Sequence, residues 1–493
     1  MSNLISYGML INGAEVPAAD GGTFSSFDPA TGKPWATFPE ATEADVDQAV
    51  QAAYRAQTLG PWATMTPTER GACLFRLADA LSEKAEEIGR LESQDTGKLL
   101  KETAWQATYI AQYLRYFGGA ADKLHGQTLP IDKPDMFVFT QREPLGVVAA
   151  VIPWNSQLFL SATKIGPALA AGNTLVLKAS EHAPAPLLAF AGLAKAAGIP
   201  DGVINVVTGH GEPCGRALTA HRLVAKVAFT GGPTAARHVI RNSAENFAQV
   251  SLELGGKSPF IVFDDANLKS AVNASVAGIF GASGQSCVAG SRLFVQRGVA
   301  DDFLAEMVQI AQKIRLGAPA DPNSEMGPLC TKAQVEHIET QIERAVAQGG
   351  KVLCGGKRAQ NLNGLFFEPT IIDCSSPDLD IVDTELFGPV LAVQRFESEA
   401  EVLRLANASE HGLAAGVFTD NQTRALRMTR GLQAGIVWIN TYRAISPIAE
   451  FGGQKMSGYG REAGLQALYD YSRTKTVWMN MSDEPMTNPF QPR

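Results

Sequence analysis

The chain has 493 residues, which is enough for about three domains that each have a hydrophobic core. Hydrophobic residues make up 45% of the chain and charged residues 19%, which excludes a largely disordered protein. The formal net charge is −8, with 50 acidic and 42 basic residues. Nucleic acid is excluded as the main partner, because a protein that binds a polyanion carries a surplus or a stripe of basic side chains.

The first sixteen residues have no basic start and no sustained apolar stretch, so they predict no secretory signal. Residues 144–163 and 270–291 lack charge, but proline, glycine and polar residues interrupt both stretches too often for a membrane-spanning helix. The six cysteines form no C-x-x-C pair, so neither a disulfide framework nor a metal site is predicted. We expect a cytoplasmic protein with no membrane association.

Residues 42–118 predict helices, because apolar residues recur there at a spacing of three to four. Thr66 and Glu69 have the spacing of a capping box at a helix start, and Gly97 is a helix stop signal. Residues 124–142 predict an extended ribbon, and the C-terminus ends in a strand-like run. An edge ribbon together with a terminal strand favours pairing with a second subunit, so we expect a homodimer or a homotetramer.

Between residues 146 and 242, short runs rich in β-branched residues alternate with helical patterns. This alternation predicts parallel strands joined by crossover helices, which together form a doubly wound sheet. Such a sheet binds ligands at the carboxyl ends of its strands, and small or polar residues stand at those ends here. The predicted strands are 146–152, 174–179, 203–209 and 226–231, and the predicted helices are 157–170, 184–197 and 233–242.

A second alternating section extends from residue 259 to about residue 456. Its predicted strands are 259–265, 291–296, 351–356, 389–396, 414–420 and 435–440. In the first section, a glycine-rich turn formed by Gly209, Gly211 and Gly215 has the spacing G-x-G-x-x-x-G, which does not meet the dinucleotide fingerprint. The turn also follows the third strand of its unit and not the first. A tight strand-to-helix turn is therefore favoured over a phosphate cradle.

Cys287 is the strongest candidate for chemistry. A free cysteine is most often a small buried hydrophobe, but Cys287 lies in the run GQSCVAGSR, which is too small and polar for a core strand. Backbone exposed by glycines gives a substrate access to the sulfur and brings amide hydrogens to a developing oxyanion. Glu253 ends the apolar run VSLEL, where a carboxylate pairs with a cation, becomes a better base through desolvation, or caps a turn.

Seven motifs, in their order and separations, resemble the NAD(P)-dependent aldehyde dehydrogenase superfamily, and the resemblance covers nearly the whole chain. The motifs are PWN, KASE, FTGG, ELGGKSP, GQSC, ELFGPV and FGGQKMSGYGRE. The resemblance implies an α/β fold with a doubly wound Rossmann-like cofactor domain, an α/β catalytic domain and a small β oligomerisation ribbon. The expected boundaries are 1–123 with 143–252 for the NAD-binding domain, 253–456 for the catalytic domain, and 124–142 with 457–493 for the ribbon and C-terminal tail.

The resemblance also implies the chemistry. Cys287 is the expected nucleophile, which forms a thiohemiacetal with an aldehyde and, after hydride transfer to a nicotinamide, a thioester. Glu253 is the expected base for the hydrolytic water, and the Asn155 side-chain amide and the Cys287 backbone N–H are the expected oxyanion hole. Lys164 matches a family lysine that assists Glu253, but a surface lysine on an amphipathic helix fits the sequence nearly as well.

For the cofactor, the resemblance assigns Lys178 and Glu181 to the adenosine ribose. A carboxylate there accepts hydrogen bonds from the 2′-hydroxyl and repels a 2′-phosphate, so NAD is preferred, with NADP as the alternative. Glu385 and Phe387 are expected at the nicotinamide ribose and ring, although Phe387 by itself also fits a core aromatic. The other expected cofactor contacts are Ile152, Pro153, Trp154, Gly211, Phe229, Gly231, Gly232 and Leu254.

The walls of the substrate tunnel follow from the same resemblance. The expected positions are smaller and more polar than the large aromatics common in relatives that oxidise simple aldehydes. Arg443 is a cation among them, which leads to the hypothesis that the substrate carries a carboxylate or another polar group. An Arg443 that faces solvent or a subunit contact fits equally well. The expected tunnel residues are Ser156, Gln157, Thr163, Ser286, Val288, Arg443 and Ile445.

Three other functions stay open on the sequence alone. A CoA-acylating semialdehyde dehydrogenase does not need the base, so the presence of Glu253 argues against it. A catalytically silent relative that serves as a binding protein would have lost Cys287, Asn155 or Glu253. A thiol hydrolase needs a histidine base beside the sulfur, and none of the seven histidines lies near the sequence motifs around Cys287.

Overall fold

The computed structural model describes residues 4–374, 379–486 and 488–490. Two large sheets, each flanked by helices, carry most of the chain, and three smaller sheets complete it. The predicted α/β fold class is confirmed. Within the described residues, we find no helix whose length and apolar character would let it cross a bilayer.

The first sheet has eight strands, and all four strands predicted for the first section lie in it. Val147–Val151 lies between Thr174–Lys178 and Val224–Gly231, and all three run parallel. Along the chain, strands are added first on one side of Val147–Val151 and then on the other, so the strand order reverses at this strand. Doubly wound sheets bind ligands at the carboxyl ends of the strands at such a point. In spatial order the strands are Gly458–Tyr459, Gln249–Leu254, Val224–Gly231, Val147–Val151, Thr174–Lys178, Ile204–Val207, Met9–Ile11 and Ala14–Val16.

The second sheet has seven strands and contains all six strands predicted for the second section. Its members are parallel except Lys351–Cys354, which pairs antiparallel at one edge. In spatial order the strands are Lys351–Cys354, Thr370–Asp373, Val390–Phe396, Arg292–Gln296, Pro259–Val262, Ala414–Phe418 and Ile436–Ile439.

The predicted ribbon is a three-stranded antiparallel sheet of Thr128–Leu129, Met136–Pro144 and Ser472–Asn480. The terminal strand therefore pairs with the ribbon of its own chain. The segment before it returns to the first sheet, because Gly458–Tyr459 pairs antiparallel with Gln249–Leu254. The helix Gly464–Asp470 also packs into the core of the first sheet through Ala467 and Leu468. This part of the predicted tail thus belongs structurally to the first sheet.

Two small sheets lie outside these layers, with the strands Ile5–Ser6, Thr23–Asp28 and Lys33–Pro39 in one and His411–Gly412 and Gln454–Lys455 in the other.

Helices cover both faces of the large sheets. Thr66 and Glu69 form the predicted capping box, and Gly97 ends its helix in the left-handed conformation at φ +75°. The predicted helix 157–170 has those bounds, whereas the predicted helix 184–197 ends early, at Gly192. The α-helices are Glu43–Thr58, Pro67–Glu83, Ala85–Thr96, Leu100–Ala120, Gln157–Ala170, Ala185–Gly192, Arg216–Ala220, Pro233–Ser243, Leu268–Phe280, Arg297–Ala311, Lys332–Ala347, Asp380–Asp383, Glu399–Asn407, Gln422–Gly431 and Gly464–Asp470.

Candidate active site

Cys287 lies where two cavities meet, between the carboxyl end of the first sheet and the amino ends of strands in the second sheet. One of them, of about 310 Å³, continues into another cavity of about 410 Å³ that runs along the first sheet. These two connected cavities share the lining residues Pro153, Trp154 and Gly231. The other, of about 450 Å³, approaches the sulfur beside the helix Leu100–Ala120. The Cys287 sulfur is thus accessible from two separate spaces.

A strained left-handed turn presents the cysteine. Ala282 and Ser283 have φ values of +54° and +56°, which for residues other than glycine cost about 1–2 kcal/mol each. The turn is held by Glu102, whose Oε1 accepts the Ala282 N–H at 3.1 Å, and by the Ser283 hydroxyl, which donates to a backbone carbonyl at 2.8 Å. Gly284 is required next, because a Cβ there would lie 2.1 Å from a neighbouring carbonyl oxygen.

Two hydrogen-bond donors converge near the sulfur. Asn155 is buried, and its Nδ2 donates one hydrogen to the Gln285 carbonyl at 3.2 Å, which fixes the amide and leaves its second hydrogen available. Within the described part of the chain, the backbone N–H of Cys287 donates to no protein acceptor. The Asn155 amide and the Cys287 backbone N–H are the two groups expected to form the oxyanion hole. They lie close together, and each has a hydrogen available to donate.

The thiol of Cys287 is protonated at neutral pH. Burial raises the pKa of Cys287 to about 12, with further increases from the carboxylates of Glu253 and Glu385, while the Arg443 guanidinium and a backbone N–H act in the opposite direction. Attack by the sulfur therefore needs a base that takes the thiol proton.

Glu253, the residue expected to act as a base, lines the same cavity as Cys287. Its side chain is only 5% exposed, and neither carboxylate oxygen has a hydrogen-bond partner among the described residues. Burial, followed by the neighbouring Glu462, raises the pKa of Glu253 well above its usual value, while Lys164 and Arg461 lower it. Gly452 allows this position, because a Cβ there would approach Glu253 Oε1 to 2.7 Å. Among the described residues Glu253 neither pairs closely with a cation nor caps a turn, so a desolvated carboxylate is the sequence alternative that fits.

Lys164 lies fully buried behind this base and is not a surface lysine. Its Nζ donates to Thr230 Oγ1 at 2.7 Å and forms an ion pair with Glu462. Thr163 donates to the same Glu462 carboxylate at 2.8 Å and so belongs to this network. It does not line the cavity of about 450 Å³, which is the one expected to admit the substrate and is called the substrate cavity below.

Gln157 is likewise fully buried, and its side-chain amide has no partner among the described residues. It does not line the substrate cavity, because its position on the helix Gln157–Ala170 turns it into the core. Gln157 and Thr163 are thus the two expected tunnel residues that the structure places elsewhere.

The two connected cavities bring together every residue expected at the cofactor. At the far end, Lys178 donates to Glu181 at 3.3 Å. Burial acts to raise the pKa of Glu181, but Lys178 and a backbone N–H outweigh it, so that this pKa lies below its usual value. At the near end, Glu385 accepts the Gly256 N–H at 3.0 Å, and burial raises the pKa of Glu385 to about 7.

These residues fit a nicotinamide dinucleotide. Gly232 begins the helix Pro233–Ser243 with no atom within 4 Å of the position of a Cβ, so a pyrophosphate can approach this helix N-terminus. The Trp154 and Phe387 rings meet edge-on, with centroids 5.5 Å apart, in the cavity that reaches the sulfur. Phe387 is half-buried and has φ +53°, so it is not an ordinary core aromatic.

Five expected tunnel residues line the substrate cavity, namely Ser156, Ser286, Val288, Arg443 and Ile445. Arg443 Nη1 makes only long hydrogen bonds, of 3.3 and 3.4 Å, to two backbone carbonyls, and it pairs with no carboxylate among the described residues.

Sequence reasoning missed several aromatic and polar side chains, most of them on or beside the helix Leu100–Ala120. In the substrate cavity these are Lys98, Lys101, Glu102, Trp105, Gln106, Tyr109, Phe159 and Phe451. In the cofactor cavity, Gln334 and His337 were missed. All but Phe451 lie on or beside helices with ordinary amphipathic patterns, so nothing in the sequence marked them.

Comparisons with known proteins agree with this geometry. The sequence profile of the aldehyde dehydrogenase family matches residues 16–477. The (Z)-2-((N-methylformamido)methylene)-5-hydroxybutyrolactone dehydrogenase of Acinetobacter baylyi is 54% identical over 95% of this chain and 96% of its own. The cytosolic aldehyde dehydrogenase 1 of Rattus norvegicus is 43% identical over 97% of this chain and 95% of its own.

Solved structures of relatives superimpose closely. The NAD⁺ complex of aldehyde dehydrogenase from Bacillus cereus has a TM-score of 0.95 and 43% identity, with 97% of each chain covered. Betaine aldehyde dehydrogenase from Staphylococcus aureus, also solved with NAD⁺, has a TM-score of 0.96 and 37% identity, covering 99% of this chain and 97% of the other. The chain belongs to the aldehyde dehydrogenase family. It is an NAD(P)-dependent oxidoreductase that acts on aldehydes.

Proposed function

We propose that the protein oxidises an aldehyde to a carboxylic acid with NAD, through a thiohemiacetal and a thioester on Cys287, and releases the acid by hydrolysis. The observation that carries this proposal is the position of Cys287 between a cofactor cavity and a separate substrate cavity. An aldehyde can reach the sulfur from one side while the nicotinamide end of the cofactor occupies the other.

In the first half-reaction, the thiol proton passes to Glu253 through water, and the sulfur bonds to the aldehyde carbon. The carbonyl oxygen becomes an alkoxide between Asn155 Nδ2–H and the Cys287 N–H, and loss of one such donor costs about 3–4 kcal/mol of barrier. When bound, NAD supplies the hydride acceptor for the oxidation of this carbon. The product on Cys287 is a thioester.

In the second half-reaction, Glu253 takes a proton from water as that water attacks the thioester. The acid leaves, and the Cys287 sulfur is released as a thiolate that regains its proton. Glu253 must lose its first proton before it acts again, and the buried pair of Lys164 and Glu462 lies beside it. The charge of Lys164 offsets the two carboxylates, so that Glu253 can return to the ionised state.

NAD is the proposed cofactor in preference to NADP. The Glu181 carboxylate, which is kept ionised by Lys178, accepts hydrogen bonds from a 2′-hydroxyl and repels a 2′-phosphate. Measuring kcat/KM with NAD and with NADP tests this preference, and equal values contradict it.

The proposed substrate is an aldehyde with a carboxylate or another polar group that pairs with Arg443. Arg443 lines the substrate cavity without a carboxylate partner among the described residues. The Acinetobacter relative is named for a 5-hydroxybutyrolactone, and such a ring is the closed form of a 4-oxo acid, which carries an aldehyde and a carboxylate.

Changing Arg443 to Ala tests this substrate class. We expect kcat/KM to fall about tenfold or more for a semialdehyde, since a charge-assisted bidentate hydrogen bond is lost, and to fall much less for its uncharged analogue. Equal losses on both aldehydes would discard the role of Arg443.

The overall function is tested with a panel of aldehydes scored by NADH formation and by acid formation, with and without CoA. We expect acid without CoA, and no turnover by the Cys287→Ser variant. A requirement for CoA would favour the acylating alternative. No NADH with any aldehyde would favour a binding protein or a hydrolase.

We also propose that the chain forms a homo-oligomer through the ribbon sheet. Phe137, Trp478 and Met479 expose 40%, 56% and 51% of their surface on its strands, and Ser472–Asn480 is an edge strand. Light scattering of the purified protein tests this, and a monomer at micromolar concentration contradicts it.

A further inference from the structure

We propose that Lys98 orients the polar side chains that line the substrate cavity, so that their free hydrogens point to the ligand. The cavity then selects aldehydes that carry a carboxylate or another strong hydrogen-bond acceptor. The inference rests on the proposed function and adds Lys98 and Gln106 to Ser156 as residues that determine specificity.

The buried ammonium of Lys98 organises this part of the cavity. The Lys98 side chain is 1% exposed, and its Nζ donates to Gln106 Oε1 at 2.7 Å and to Ser156 Oγ at 3.1 Å. Glu92, which is fully buried, lies 3.7 Å from the same nitrogen. Both partners, Gln106 and Ser156, line the substrate cavity.

An ammonium group can only donate, so it fixes the orientation of both partners. Gln106 must present its oxygen to Lys98, and its two amide hydrogens then point away from Lys98. The Ser156 oxygen accepts from Lys98, so the hydroxyl hydrogen is left for another acceptor. Neither side chain has a further hydrogen-bond partner among the described residues, and both therefore have donors available to a ligand in the cavity.

The main acceptors of the cavity already accept hydrogen bonds from protein donors. Both Glu102 oxygens accept backbone N–H groups, at 3.1 and 3.3 Å, and the Ile445 carbonyl accepts the Tyr109 hydroxyl at 2.7 Å. Arg443 adds a further donor. A carboxylate is the group that best matches such a set of donors. An aldehyde with an ammonium group would meet the positive charges of Lys98, Lys101 and Arg443, against the single carboxylate of Glu102.

The Gln106→Glu variant tests this arrangement. Glutamate keeps the shape and the bond to Lys98, but it replaces the donating amide by a second acceptor oxygen. We measure kcat/KM for 4-oxobutanoate and for butanal, which have the same number of carbons. The ratio of the two should fall about tenfold or more, because a donor to the carboxylate is replaced by a repelling charge. Gln112→Glu, on the exposed side of the same helix, is the matched control for the added charge.

Two further variants keep the result decisive. Ser156→Ala and Gln106→Leu remove a donor without adding charge, and each should lower the same ratio about threefold to tenfold. A ratio that stays within about twofold of the wild type in all three variants overturns the inference, since one lost hydrogen bond exceeds that effect. If the wild-type protein forms no NADH with either aldehyde, the proposed function fails instead, so the two failures are distinguishable.

Discussion

Replacing Glu253 by Gln removes the base that the proposed chemistry uses twice. The side chain is 5% exposed and its oxygens have no hydrogen-bond partner among the described residues, so the nearly isosteric amide loses little packing. General-base catalysis contributes about 10²–10⁴-fold in rate. At 1.36 kcal/mol for each factor of ten, this equals about 3–5 kcal/mol of barrier. We therefore expect kcat to fall by about 10²–10⁴-fold.

Rapid mixing separates the two half-reactions. If Glu253 served only in hydrolysis, the variant would still release its first NADH at the wild-type rate. Because burial raises the pKa of Cys287 to about 12, we expect this first turnover to slow as well. Raising the pH should partly restore it, since hydroxide then ionises the thiol. A kcat within threefold of the wild type, with an unchanged melting temperature, would refute the role of Glu253 as the base.

Two other substitutions probe the surroundings of the nucleophile. Lys164→Met removes the charge that lowers the pKa of Glu253, so the acidic limb of the pH–kcat profile should move to higher pH. An unmoved limb would show that Lys164 does not act on Glu253. Ala282→Gly relieves a φ of +54° and should stabilise the protein by up to about 1 kcal/mol in urea unfolding. Ala305→Gly, at an exposed position of the helix Arg297–Ala311, is the matched control and should destabilise the protein by about 1 kcal/mol.

Ten of the fifteen strands in the two large sheets could be predicted from the sequence, since buried parallel strands appear as β-branched runs. Val147–Val151 falls within the predicted 146–152, and Ile436–Ile439 within 435–440. The strand Gly458–Tyr459 could not be predicted, because two residues carry no period.

Residues of the candidate site could be predicted only where the local sequence is unusual. Cys287 and Asn155 stand in runs whose composition sets them apart from core and surface. Gln106 and His337 line cavities but lie on amphipathic helices, where a polar residue that faces a cavity has the same pattern as one that faces water. Thr163 was placed on the tunnel wall by resemblance, and only its bond to Glu462 shows that it faces the other way.

The return of the C-terminal segment to the first sheet has a consequence for truncated variants. The strand Gly458–Tyr459 pairs with the strand that carries Glu253, and Glu462 forms an ion pair with the buried Lys164. A variant cut before residue 458 keeps Cys287 and Asn155 but loses both of these contacts. Its Lys164 ammonium would then be buried without the carboxylate that pairs with it, which is costly in a folded protein.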